Sequence, residues 1–154
     1  MAIEADNVMD AGDVTFDPAD RLAILNLLGA YAFTYDRVRI DEFRALFTDS
    51  PEISYAARGT VMIEGLPDVI RAAQAKQEQF KAEDNQRRHA LDSVCFSSQD
   101  ADEASGTCYF QVFGTREGGA PSPQMTGYYE FTAVKRDNGW KFSRWLAHID
   151  QSTL

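Results

Sequence analysis

Apolar and polar positions follow two rhythms along this chain, a helical one up to about residue 81 and a two-residue one after it. Asp17-Pro18 reads as an N-cap with proline in the first turn. Leu22, Leu25, Leu28, Gly29 and Ala32 follow at helical spacing and predict a long helix to about Tyr35. Ile40, Phe43, Leu46 and Phe47 predict a second, short helix, which Thr48-Asp49-Ser50-Pro51 ends. Glu52 to Ala57 alternates as a strand, Arg58-Gly59 turns, and Thr60 to Glu64 returns as the other arm of a hairpin. Pro67 opens a third helix to about Lys81, with Val69, Ile70, Ala73 and Phe80 inward and Arg71, Gln74, Lys76, Gln77 and Glu78 as its solvated side.

Beyond the polar connector 82–86 the period becomes two. Strands are predicted over Arg88–Ser97, Ala104–Gly114, Gln124–Lys135 and Trp140–Asp150, with tight turns at 98–102 and 136–139 and a longer Gly- and Pro-rich rim loop at 115–123. Three helices with a short hairpin, followed by a meander of four long strands, make an α+β fold with the helices packed on one face of an antiparallel sheet. Strands of that length twist and bulge, so the sheet curls around the helices and leaves room for a ligand cavity. Parity assigns Cys108, Phe110, Val112 and Gly114, then Met125, Gly127, Tyr129 and Phe131, then Trp145, Ala147 and Ile149 to one apolar wall. The alternate face takes Gln111, Tyr128, Glu130, Thr132, Trp140, Phe142 and Arg144; it is apolar enough to suit partial cover by a second subunit.

Asp36 interrupts this picture. Continued at about 100° per residue, the first helix places Asp36 within roughly 20° of Leu25, inside the apolar stripe. The macrodipole at a helix C-terminus and burial both raise a carboxylate's pKa unless a cation or donor compensates. If the helix stops at Tyr35, Asp36 belongs to the turn and the phase argument weakens. His89 opens the first long strand on the parity of Leu91; the residue suits a core position as well as a catalytic one. His148 lies on the parity opposite Trp145, outward or interfacial, with Asp150 two residues on as an alternative dyad partner.

Composition narrows the options. The 154 residues, 44% hydrophobic, fit one domain over 17–154 after an acidic, aperiodic arm at 1–16. A balance of 15 basic and 24 acidic residues, net charge −9, argues against a nucleic-acid partner. The one basic cluster, Arg87-Arg88, is too short to change this. No apolar run approaches the ~20 residues of a membrane helix, and the first residues lack the basic and apolar regions of a leader, so a cytoplasmic location is expected. Cys95 and Cys108 read as reduced strand residues, and no metal-ligand spacing occurs.

Tyr35-Asp36 ending the first helix, Asp41-Glu42-Phe43, the strand Glu52-Ile53-Ser54-Tyr55, Arg88-His89 and Trp140-Lys141-Phe142 occur in an order that resembles the SnoaL-like branch of the nuclear-transport-factor-like cone fold, the scytalone dehydratases most of all. The resemblance implies a cone-shaped sheet and an acid–histidine dyad of Asp36 and His89. It implies that Tyr35 and Tyr55 hold a water or carbonyl, and that Phe110, Val112, Trp145 and Ile149 line the cavity. A second histidine, a serine and an asparagine of the dehydratases fall near Gly114, Gly127 and Tyr129 here, which puts their own substrates in doubt; Tyr129 can replace one polar contact. The implied function is a cofactor-free, metal-free lyase of dehydratase type, or an isomerase, acting on a small hydrophobic, aromatic or polycyclic substrate as a homodimer or homotrimer. A polyketide cyclase and a non-catalytic binding or assembly protein are the alternatives. An epoxide hydrolase would need an arginine between two aspartates, which the sequence reading does not place.

Overall fold

The computed structural model describes residues 16–152, so most of the predicted N-terminal arm lies outside the described residues. Helix α1 spans Pro18–Asp36; the Asp17 carboxylate accepts a hydrogen bond from the Ala19 N–H at 2.8 Å and Pro18 occupies the first turn. Helix α2 is Ile40–Ala45 and α3 Leu66–Ala82. The strands are β1 Phe47–Ala57, β2 Thr60–Glu64, β3 Asn85–Gln99, β4 Glu103–Arg116, β5 Ser122–Arg136 and β6 Gly139–Ser152. They form one six-stranded sheet in the order β2-β1-β6-β5-β4-β3, so β2 and β3 are its edges. The sheet is mixed: the long-strand meander and the β1–β2 hairpin are antiparallel, while β1 runs parallel to β6. That pairing carries the hairpin from the start of the chain to the strand that ends it.

The buried stripe of α1 is Ile24, Leu27, Leu28, Tyr31, Thr34 and Tyr35. Leu22 is 66% and Leu25 39% exposed, and Gly29 faces outward, so the helix sits in a different phase from that read in the sequence. Between Leu22 and Phe33 the helix is apolar nearly all round, and period alone does not choose its face. The docking partner does: Tyr31 lies 4.2 Å from Trp145 between ring centroids and packs against Phe43 and Tyr129 as well.

Bulges correct the strand parities. Opposite Thr132 and Ala133, β6 pairs Arg144 and Phe142, leaving Ser143 as an extra residue. Its insertion turns Phe142 and Trp140 inward with Trp145, against the outward placement that simple alternation gives; Phe142 is fully buried. A second extra residue, Asp150, lies opposite Thr126 and Gly127. The predicted break at Thr48–Pro51 is likewise an irregular stretch inside β1, between its pairings Phe47↔Phe142 and Glu52↔Arg144. Phe47 therefore starts a strand instead of ending α2. Such insertions bend and twist the long strands around α1. Gly127 is required by this curvature: a Cβ there would stand 2.1 Å from the His148 carbonyl oxygen and 2.9 Å from the Phe110 ring. Both cysteines are free, and burial pushes the Cys108 thiol up to about 12.

Candidate active site

Asp36 is the last residue of α1 and reaches across to β3, where it meets His89 at two points. One carboxylate oxygen accepts the His89 backbone N–H at 2.7 Å; the other lies 2.5 Å from His89 Nδ1. A carboxylate is an acceptor only, so Nδ1 carries the proton and Nε2 of a neutral ring keeps its lone pair. Gripping backbone and ring together fixes the imidazole plane. Arg87, two residues earlier on the same face of β3, donates from Nε to the same carboxylate at 3.2 Å and from Nη2 to the Tyr35 carbonyl at 3.2 Å. Its guanidinium also lies over the Tyr35 ring, 4.7 Å from the centroid. The side chains of Asp36, Arg87 and His89 are 7%, 6% and 6% exposed, so this is a buried ionic cluster.

Burial alone would raise the Asp36 pKa, but the His89 ring, the His89 N–H and Arg87 together outweigh it and hold the carboxyl below the ordinary carboxylate range. A folded-state pKa below the unfolded one gives stability that is present above the unfolded value, about 4 for aspartate, and is lost as pH falls through the folded value. Urea midpoints measured from pH 6 down to pH 2 should therefore fall less steeply in Asp36→Asn than in the wild type. An equal acid slope in both would show that Asp36 is not a source of it.

The cavity beside this cluster has a volume of about 350 Å³. Tyr35, Tyr55, His89, Phe110, Val112, Tyr129 and Ile149 line it, as do Arg87, Ala147, Met125 and, toward the mouth, Arg58, Met62, Ile63, Lys76 and Asp150. Asp36 stands behind His89 and faces a separate polar depression bounded by α3 and the residues around Arg116 and Gly118. The 115–123 link thus borders that depression and not the cavity. Trp145, expected as a lining residue, is fully buried behind the wall and supports the rings that form it, 4.4 Å from Tyr129 between centroids. The Phe110 and Tyr129 rings, both lining the cavity, stack on each other at 4.3 Å between centroids. The Tyr35 ring meets the His89 ring edge-on at 5.2 Å.

Two residues of this arrangement escape the sequence reading. Tyr31, one turn before Tyr35, brings its hydroxyl 2.5 Å from that of Tyr55. Burial holds the Tyr31, Tyr55 and Tyr129 hydroxyls well above the ordinary phenol value, so they are neutral hydrogen-bonding groups. Spacing from Tyr35 is the available signal for Tyr31, and shared strand parity with His89 is the signal for Arg87. His148 faces outward, stacked on Tyr128 at 4.4 Å with Nε2 2.9 Å from Glu130; Asp150, carried to the cavity mouth by its bulge, is not its partner. Among the described residues no group of three or more histidine, cysteine and acidic side chains could hold a metal ion, and no helix is long and apolar enough to cross a membrane.

The SnoaL-like domain family matches residues 18–146. The chain belongs to the SnoaL-like family. No curated protein sequence matches this SnoaL-like chain. Solved structures do, at identities that speak for the fold alone. Aln2 from a Streptomyces species is 21% identical over 87% of this chain and 93% of its own, with a TM-score of 0.73. An NTF2-like protein with a cystatin-like fold from Novosphingobium aromaticivorans is 20% identical over 88% and 85%, with a TM-score of 0.70. A scytalone dehydratase candidate from N. aromaticivorans is 22% identical over 88% and 87%, with a TM-score of 0.67. The α+β cone of this SnoaL-like domain is thus a shared architecture.

Proposed function

We propose that this SnoaL-like chain is a cofactor-independent lyase of the dehydratase type, or an isomerase, acting on a small aromatic or polycyclic carbonyl compound. The observation that carries the reading is a histidine whose Nδ1 is held on a buried carboxylate at 2.5 Å while the residue lines an apolar cavity. Arg87 balances the charge of Asp36, which leaves the imidazole free to act as a base. His89 Nε2 takes a proton from the carbon beside the carbonyl, and the C–H electrons move onto the carbonyl oxygen as an enolate. Tyr35, Tyr55 or Tyr129 donates to that oxygen, where negative charge develops. The enolate then expels a β-hydroxyl, which takes the proton back from His89 and leaves as water. Return of the proton to another carbon gives isomerisation instead.

The dehydratase resemblance does not extend to its narrower polar contacts. A Cβ at Gly114 would stand 2.1 Å from Gln124 Nε2 and 2.6 Å from Asn85 Oδ1, and Gly127 is closed by backbone, so neither position admits a larger side chain without movement. The substrate is therefore read as less hydroxylated than scytalone. A direct test uses 3-hydroxy-1-tetralone, whose loss of water gives fluorescent 1-naphthol, alongside 1-tetralone in D2O, whose α-hydrogen exchange is followed by NMR. Naphthol formation or exchange above buffer is the expected result. Neither reaction above buffer, with both compounds bound, would replace the enzyme reading by that of a binding protein.

A further inference from the structure

The hydroxyls along the tyrosine side of the cavity are not independent donors. Tyr31 is fully buried, its ring packed among Tyr35, Phe43, Tyr129 and Trp145 at centroid distances of 4.2–5.8 Å. A buried phenol requires a partner for its hydroxyl, and this one finds its partners in the cavity wall. It lies 2.5 Å from the Tyr55 hydroxyl and also hydrogen-bonds Tyr129, whose ring it meets edge-on. Tyr55 and Tyr129 line the cavity from β1 and β5, which β6 separates in the sheet. From α1, Tyr31 thus joins two wall residues that share no ladder.

Proton counting fixes what such a chain can give. Each phenol donates through one O–H and accepts through its oxygen. Burial keeps Tyr31, Tyr55 and Tyr129 neutral, so all their protons are in place. The two bonds of the chain use two of them, and one is left for the guest. Tyr31 spends its own proton behind the wall, so the free one belongs to Tyr55 or Tyr129. The end that gives it accepts from Tyr31, and a hydroxyl that accepts a hydrogen bond donates more strongly, by roughly 10–30% per bond. We propose that Tyr31 is a positioning residue that makes Tyr55 and Tyr129 into a single, strengthened donor for one acceptor oxygen, the carbonyl of the guest. The inference rests on the reading above that the cavity receives a small carbonyl compound. It puts a unit in place of a choice among tyrosines and adds a residue that stands behind the wall.

The test is the infrared carbonyl band of 1-tetralone bound to the full chain, read as the difference between isotopically labelled and unlabelled ketone. In the wild type the band should lie below its position in an apolar solvent, as that of a hydrogen-bonded carbonyl does. Tyr31→Phe removes the link and should move the band up. Tyr31→3-fluorotyrosine, a more acidic phenol of nearly the same size, should move it further down. Exchange of the α-hydrogen should slow by roughly three- to tenfold in Tyr31→Phe, in kcat and not in KM. A ring that served packing alone would change the melting temperature and leave the band where it was. Phenylalanine keeps the ring, thermal melts verify the fold, and the fluorinated variant, which keeps the hydroxyl too, gives an answer on its own. A band unmoved by both substitutions with the ketone bound, or a wild-type band at the apolar-solvent position, overturns the chain and leaves the enzyme reading to the turnover assays. Both shifts without exchange above buffer would keep the chain and remove the enzyme reading. Failure of the ketone to bind the wild type removes both.

Discussion

Replacing His89 by alanine is expected to lower the rate of naphthol formation or α-hydrogen exchange by about 10²–10⁴-fold, the contribution of one positioned acid–base group. The imidazole shares its hold on Asp36 with Arg87, but a guanidinium has no lone pair with which to take a proton, and the tyrosines are held neutral by burial. The fold should survive. Asp36 keeps the backbone N–H of residue 89 and Arg87 in the variant, and the loss of one hydrogen bond to a charged group costs about 1.5–3 kcal/mol. Turnover and urea denaturation measured on the same preparation separate the two effects. A rate within tenfold of the wild type would remove His89 from the chemistry.

The largest effect on stability is expected at Arg87. Its guanidinium is buried between the Tyr35 and Phe80 rings and donates to both Asp36 and the Tyr35 carbonyl. Methionine matches its stem but leaves the carboxylate buried without its full positive partner, a change that costs about 3–5 kcal/mol when one member of a buried ion pair is removed. The urea midpoint should fall accordingly. A midpoint unchanged from the wild type would mean that His89 alone suffices to compensate Asp36.

Much of the element order is legible in the residues because turns and caps are local. Asp17-Pro18, Arg58-Gly59 and Asp137-Asn138-Gly139 act through their own backbone preferences, and the helices and hairpins they delimit lie where the sequence puts them. What depends on distant partners is less legible. The facing of α1 is decided by the aromatic cluster around Trp145 and not by its own period. The inward turn of Phe142 follows from the extra residue Ser143, which no short-range pattern announces. At the site, the contact between Asp36 and His89 is approached from the resemblance, since the phase that draws attention to Asp36 is not the one the helix adopts. Arg87 reads in the sequence as half of a short basic cluster. Its value becomes visible only once α1 and β3 lie side by side.

The grip of Asp36 on the His89 backbone has a consequence unrelated to chemistry. Among the described residues strand β3 borders no other strand on its outer side, and the His89 N–H that Asp36 accepts points that way, not toward β4. A bare row of such donors is a template on which a foreign chain can add itself and start aggregation. By stoppering this position from the neighbouring helix, the aspartate shields the strand from unwanted recruitment, so its loss would threaten solubility.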